Sequence, residues 1–478
     1  MKALQIELNV ARFASAKVIG SLYGKNNFSP ISPLLLKDVE PLQKPGRDWY
    51  RVQPILAGIC GSDLATVRGE TSDYFSRIVS FPFTLGHEIV GIVKDGDLAG
   101  KRVVIESVLS CKTRSVEPMC APCQRGDIQL CENITFGHIH PGLQTGFCKD
   151  TGGGWGEEML AHESQIYLVP DEMTDEEAVM VEPAACGIHT ALRTAIKDTE
   201  DVVILGAGTI GLTTLAAIKN YLNPKTITIT AKYPVQKEFA ASLGADTVIA
   251  PQELLRALRR TTNSLAVPPP ISIATVLTNK LLNKKEEAAP DSPALTSDSK
   301  IRRERSISSK ALIGRLTNGA DVIVDCIGNN ASIAQALSAV KPGGRIVLAG
   351  MPGNVKVDLA PLWQREVSLI GAYGYGTEHL NGKDRSQSTF SMAIDLVKKE
   401  RLGRLVSAKY PLERYKEAIT HASRAGARES IKIVFLNDRK DGIRRENTDL
   451  ADVKSKIETA AKTTEPVTTK TKKSRTAK

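Results

Sequence analysis

The sequence predicts a two-part α/β protein: a β-rich, turn-rich first part, followed by a doubly wound parallel sheet. Three observations carry this. Up to about residue 170 the chain is dense in Gly and Pro, with short β-branched runs such as Glu88–Val93 and Arg102–Glu106. From Asp201 onward, short apolar runs alternate with helical patterns, the signature of a parallel sheet. A Gly-x-Gly-x-x-Gly turn joins the first of these runs to the first of these helices.

Taken in order, Met1 to Leu22 scatters Lys2, Glu7, Arg12 and Lys17 among apolar residues and reads as a first β-hairpin. It lacks the apolar centre and cleavage site of a signal peptide, and a cytoplasmic location is expected. Asp175 to Ala195 reads as a helix with an acidic first turn. Val202–Leu205 reads as a strand ending at Gly206, with a helix running on to Leu222. A strand at Thr226–Thr230, a helix at Gln236–Leu243 and a strand at Thr247–Ala250 follow. Strands at Asp321–Asp325 and Gly344–Ala349 flank a helix at Ala331–Val340. Residues 256–312 interrupt this pattern with Pro268-Pro-Pro270 and Arg302-Arg-Glu-Arg-Ser306. So long a structureless loop is unusual inside a compact domain, and it reads as a disordered surface insertion. Residues 438–478 read as a disordered basic tail.

With 42% hydrophobic and 24% charged residues, the 478-residue chain is not disordered throughout, collagen-like or a coiled-coil rod. No apolar run reaches the ~20 residues of a membrane span, so no membrane is expected as partner. The net charge of +10 is local. Residues 256–312 and 439–478 each carry a net +6, which leaves the remainder at −2. Neither basic segment contains an aromatic residue to stack on bases, and no specific nucleic-acid partner is expected.

Four of the eight cysteines, Cys111, Cys120, Cys123 and Cys131, fall within 21 residues. Clustered thiols without a signal peptide point to metal ligands in a reducing compartment. Cys60 lies in Gly58-Ile-Cys-Gly-Ser-Asp63, His87 and Glu88 in Gly86-His-Glu88, and Glu182 in Val181-Glu-Pro183. Cys, His and carboxylate suit a catalytic zinc that keeps one position open. In Gly206-Ala-Gly208-Thr209-Ile210-Gly211, the first glycine makes the tight turn and the second admits a pyrophosphate to the backbone. The third allows close helix–strand packing, and the helix N-terminus faces the anion. The usual ribose-binding carboxylate is replaced by Ala231, with Lys232 and Tyr233 beside it. This favours NADP, with Lys232 on the 2′-phosphate; NAD is the alternative.

These motifs resemble, in this order, the zinc-dependent medium-chain alcohol dehydrogenases, with Lys341-Pro-Gly-Gly-Arg345 as a further match. The resemblance covers about residues 1–255 and 313–437. It implies a GroES-like catalytic domain at 1–185 and 376–437 and a Rossmann cofactor domain at 186–375. It also implies a homodimer or homotetramer acting on a small alcohol or carbonyl substrate. Cys60 and His87 resemble catalytic zinc ligands. Glu182-Pro183 stands where many members carry a second cysteine and is similar to the polyol, sugar and threonine dehydrogenase branch. In that branch Glu88 and Glu182 coordinate directly, through water or in alternation. Cys186, one turn on, reads as helix packing. Ser62 resembles the hydroxyl that relays the alcohol proton, and Asp63 the carboxylate that orients the liganding His.

Cys120, Cys123 and Cys131 resemble the last three ligands of the family's structural zinc lobe. Glu117 occupies the usual fourth position, and Cys111 is assigned in its place because four thiolates make a closed site. The resemblance implies hydride transfer from a secondary alcohol, polyol or sugar to NADP, with the proton leaving by Ser62 or Glu182. His138 and His140 are candidates to touch a hydroxylated substrate. An NAD-linked primary alcohol dehydrogenase and a catalytically silent binding protein are the competing readings.

Overall fold

The centre of the fold is built from β-branched runs buried on both faces. Val202, Val203, Ile204 and Leu205 are at most 1% exposed, as strands covered by helices on two sides should be. They belong to β1 (Asp201–Leu205) of a six-stranded sheet. Its other strands are β2 (Thr226–Thr230), β3 (Thr247–Ile249), β4 (Ala320–Asp325), β5 (Val340–Leu348) and β6 (Ser368–Gly371). The order is β3-β2-β1-β4-β5-β6, parallel throughout. In a sheet of this order the ligand crevice opens at the carboxyl ends of the strands, where the order reverses between β1 and β4. The structure, a computed structural model, describes residues 1–23, 32–268, 314–379 and 386–437.

A second sheet of seven strands runs Val406–Pro411, Lys432–Leu436, Trp49–Gly58, Ile89–Val93, Arg102–Ile105, Ile166–Leu168, with Met159–His162 also paired to Trp49–Gly58. The C-terminal strand therefore returns to the first part of the chain, with Val434 opposite Gly58. The two sheets share one hydrophobic core. Leu56 and Val90 of the second sheet belong to the same cluster as Val202 and Ile204 of the first. The helix Val181–Arg193 lies in this cluster, with Ala184, Ala185, Ile188 and Ala191 at 0% exposed. Gly187 lets the helix Thr209–Tyr221 come close: a Cβ there would stand 2.6 Å from Thr213.

Three expectations are corrected. The N-terminal hairpin is instead a strand, Lys2–Ile6, paired with Leu34–Asp38 and followed by a helix at Val10–Tyr23. The helix expected over 175–195 is two, Asp175–Ala178 and Val181–Arg193. The insertion does not begin at 256. Leu254–Thr261 is a helix, and Ala266–Val267 pairs antiparallel with Arg315–Leu316. That helix buries Leu254 and Leu258, four residues apart on one face, against Leu316 and Ile333. Residues 269–313 and the basic tail 438–478 lie outside the described residues. Among the described residues no helix is long and apolar enough to cross a membrane.

Leu258, 3% exposed, gives a direct check on the corrected boundary. Leu258→Ala is expected to cost about 2–5 kcal/mol in urea unfolding. A solvent-exposed segment would give a change within about 0.5 kcal/mol.

Candidate metal and cofactor site

The strand Trp49–Gly58 leads directly into the first cluster. Gly58 allows the approach of Glu88, since a Cβ there would lie 1.7 Å from the Glu88 Oε2. Cys60 caps the helix Gly61–Val67, and its backbone N–H donates to the Asp63 carboxylate at 2.9 Å. The other Asp63 oxygen lies 3.4 Å from His87 Nδ1, and Asp63 is wholly buried. This approach places the Asp63 carboxylate beside the imidazole without a hydrogen bond between the two atoms. Ser62 stands half-buried in the same helical turn.

Ligand atoms of Cys60, His87 and Glu88 lie within 4.8 Å of one another. Burial works to lower the His87 pKa, but Asp63 and Cys60 raise it well above the ordinary imidazole value. A pocket this negative suits a divalent cation, and the thiolate, imidazole and carboxylate donors match zinc chemistry. Glu182 is not part of that 4.8 Å group. It enters on the first turn of Val181–Arg193, 6% exposed, and burial pushes its carboxyl up to about 7, with charges at His87 and Glu88 also felt. Cys186 does more than pack the helix: its Sγ lies 3.7 Å from Glu182 Oε1.

Lys432 was not foreseen. Its Nζ donates to both Glu88 oxygens, at 2.7 and 2.6 Å, and to Ile59 O at 3.3 Å. The pair is buried on both sides, at 3% and 1% side-chain exposure. The available signal was one lysine inside the apolar run Ile431–Phe435. Tyr373 and Tyr375 were missed too. Tyr373 follows β6 and is close enough for the charges at His87, Cys186 and Glu182 to act on it. Tyr375 is buried and shares a 2.8 Å hydrogen bond with Ser107. Phe147 stands beside His87, ring centroids 6.1 Å apart. Of the two loop histidines, His140 is paired with Asp150 at 2.8 Å and His138 lies against Gly46. Neither belongs to the Cys60 group.

The second group holds Cys111, Cys120, Cys123 and Cys131, with ligand atoms again within 4.8 Å. Tetrahedral zinc–sulfur bonds of about 2.3 Å place the sulfurs about 3.8 Å apart. The Cys111 Sγ lies 3.5 Å from that of Cys120 and 3.7 Å from that of Cys131, so the thiols fit a closed zinc site. Cys111 groups with the other three thiols, and its rival Glu117 is exposed and outside the group.

At the fingerprint, Gly206 has φ +93°, and a Cβ on Gly211 would stand 1.8 Å from Gly206 O. Gly208 has open space where its Cβ would be, the room a pyrophosphate needs above the start of the helix at Thr209 and Ile210. Gly206 N–H donates to Thr230 Oγ1 at 2.9 Å, fixing the turn to β2. One residue beyond β2, Ala231 is buried. Lys232 is exposed, with its Nζ 5.2 Å from the Tyr233 ring.

Comparison with known proteins agrees with this geometry. Residues 46–171 match the family model described as alcohol dehydrogenase GroES-like domain, and residues 298–406 match zinc-binding dehydrogenase. The chain is 26% identical over 368 residues to an L-idonate 5-dehydrogenase of Vitis vinifera, covering 75% of this chain and 83% of that protein. It is 25% identical over 391 residues to a sorbitol dehydrogenase of Bacillus subtilis, covering 80% and 88%. The solved structure of a zinc-binding dehydrogenase of Sinorhizobium meliloti 1021, bound to NADP, superposes with TM-score 0.58 at 21% identity, covering 91% and 99%.

A cavity of about 190 Å³ lies behind the four-cysteine lobe, bounded by Glu106, Lys112, Tyr167, Thr377 and Ser388. Burial pushes the Glu106 carboxyl up to about 8, with Lys112 opposing. A carboxyl raised on folding adds stability while protonated and loses it as pH rises through the folded value. Wild-type thermal stability should therefore fall between pH 5 and 8 by up to about 1.4 kcal/mol per pH unit. Glu106→Gln is expected to flatten that decline. Parallel slopes for the two proteins would place the Glu106 carboxylate in water.

Proposed function

The chain belongs to the zinc-dependent medium-chain alcohol dehydrogenase superfamily, in its polyol branch, and on that premise we propose that it transfers hydride between a polyol or sugar secondary alcohol and NADP. The observation that carries this is the meeting of two parts. His87 of the Cys60–His87–Glu88 cluster and the nearby Glu182 both lie close enough to act on Tyr373, which follows the outer strand of the nucleotide-binding sheet. When bound, the zinc serves as a Lewis acid that acidifies the substrate hydroxyl, and the nicotinamide accepts the hydride.

The chain's own residues do the rest. Cys60 and His87 would hold the metal, with Glu88 or Glu182 as the third donor: Glu88 groups with them and keeps lone pairs beside its Lys432 hydrogen bonds, and Glu182 enters from the first turn of Val181–Arg193. Asp63 stands beside the His87 ring. Ser62 takes the alcohol proton, and Glu182, whose carboxyl burial holds above the ordinary range, passes it on when Glu88 and not Glu182 is the third donor. Phe147 forms a wall beside His87. Cys111, Cys120, Cys123 and Cys131 hold a second, structural zinc. None of the eight cysteines is in a disulfide, which suits a reducing compartment such as the cytoplasm.

A homodimer would form along β6, which among the described residues is an open edge paired with β5 alone. Leu369 of β6 is exposed, as are Leu359, which caps the preceding helix Ala360–Gln364, and Trp363 within that helix, at 80%. An open strand edge with exposed apolar side chains is a ready template for pairing with a second copy.

The substrate class is tested by a spectrophotometric screen of polyols, sugars and primary alcohols with each cofactor. Turnover confined to primary alcohols would overturn the reading. For the cofactor, a Lys232–phosphate contact is worth on the order of 1–3 kcal/mol, or roughly 5- to 150-fold. Lys232→Ala should raise the KM for NADP by that factor while leaving NAD unchanged, and added salt should shrink the difference. An unaltered NADP-to-NAD ratio would mean that Lys232 points into solvent.

A further inference from the structure

Cys111 and Cys120 are nine residues apart, and the loop between them sends one charged side chain inward. Arg114 is 0% exposed. Its Nε donates to Leu109 O at 3.2 Å. Its Nη1 donates to Phe136 O, Ile139 O and His140 O at 3.1, 3.2 and 3.3 Å. Its Nη2 donates to Gly142 O at 2.6 Å. The Arg114 carbonyl in turn accepts from His138 N–H at 3.1 Å. Gly137 permits this contact, because a Cβ there would lie 2.4 Å from that carbonyl. One guanidinium thus gathers the 136–142 segment against the lobe.

These partners are dipoles. Among the described residues no carboxylate forms an ion pair with Arg114. A buried cation without a counter-charge is costly. Of the acidic side chains nearest it, Cys148 is a thiol that burial keeps protonated, Asp150 is paired with His140, and Cys131 and Cys111 belong to the lobe. Four thiolates around one zinc carry a formal charge of −2. The loaded lobe therefore supplies the counter-charge that the loop lacks.

The gathered segment continues into the catalytic centre. Cys148 is fully buried, with its Sγ on His140 O at 3.4 Å. Gly146 touches the Gly86 backbone, next to His87, and Phe147 stacks near both His87 and Phe83. A continuous path runs from the lobe sulfurs through Arg114 and its carbonyls to the substrate wall.

We propose that Arg114 is a positioning residue that couples the metal state of the four-cysteine lobe to the placement of Phe147 beside the catalytic cluster. The proposal rests on the reading of the lobe as a zinc site, and the test separates the two. The full-length zinc enzyme would be compared with Arg114→Met, Arg114→Lys and Cys120→Ser. Three readouts are zinc per chain, the rate of Cys148 alkylation by iodoacetamide followed by peptide mass spectrometry, and KM against kcat.

Wild-type protein should hold about two zinc ions per chain, with Cys148 protected. Arg114→Met should speed Cys148 alkylation about tenfold or more, by making local opening easier. It should raise the substrate KM several-fold more than it lowers kcat. Arg114→Lys should fall between, since one ammonium cannot span the same carbonyls. Cys120→Ser should lose the lobe zinc and expose Cys148 with Arg114 still present, which keeps the test decisive if Arg114→Met does not fold. Protected Cys148 and unchanged KM in Arg114→Met would overturn the coupling. So would Cys120→Ser that has lost its zinc yet keeps Cys148 protected. About one zinc in the wild type, unchanged in Cys120→Ser, would sink the lobe reading and the coupling with it.

Discussion

Two opposite charges withdrawn from water hold this molecule's chemistry in place. Glu88 and Lys432 are separated by 344 residues and are almost fully buried together. Removing one partner of such a pair costs about 3–5 kcal/mol, because the other charge is stranded. The pair does more than add stability. It seats the last strand beside Gly58 and keeps Glu88 where only a glycine could face it. Cys60 lies two residues beyond Gly58, and His87 immediately precedes Glu88. The candidate metal donors are thus placed by a contact between the first and last parts of the folded chain.

That contact also marks where the sequence stops being readable. The glycine fingerprint, the short-spaced cysteines and the Cys60–Asp63 turn are local devices. Each imposes a geometry within a few residues. Lys432, Tyr373 and Tyr375 acquire meaning only through long-range packing, and a lysine in an apolar strand looks like an edge residue until its partner is known. The first helix, Val10–Tyr23, was read as a strand because its charges fall among apolar residues at short intervals. The helix at Leu254–Thr261 was hidden by composition. Arg256 and Arg260 face solvent and give a basic, loop-like impression, while Leu254 and Leu258 hold the buried side.

The four-cysteine lobe shows how a departure from a familiar spacing is absorbed. With Cys111 set far back from Cys120, the chain gains a loop that must be anchored. Arg114 anchors it with a fork of donors that a lysine could not supply. Five carbonyls that would otherwise face each other across the loop are drawn to one centre. The departure and its remedy lie in the same short stretch of sequence, but the carbonyls that reveal the remedy come from up to 28 residues further on.

The core common to both sheets bears on how the molecule comes apart. Proteins built of two separable bodies usually melt in two steps, each with its own enthalpy. Here Leu56 and Val90 pack into the same apolar cluster as Val202 and Ile204, with the helix Val181–Arg193 shared between them. Neither sheet can shed its helix without exposing the other's interior. The shared core implies one cooperative unit for the described part of 1–437, with a single heat-absorption peak and one common opening free energy for the most protected amides of both sheets as its expected signature.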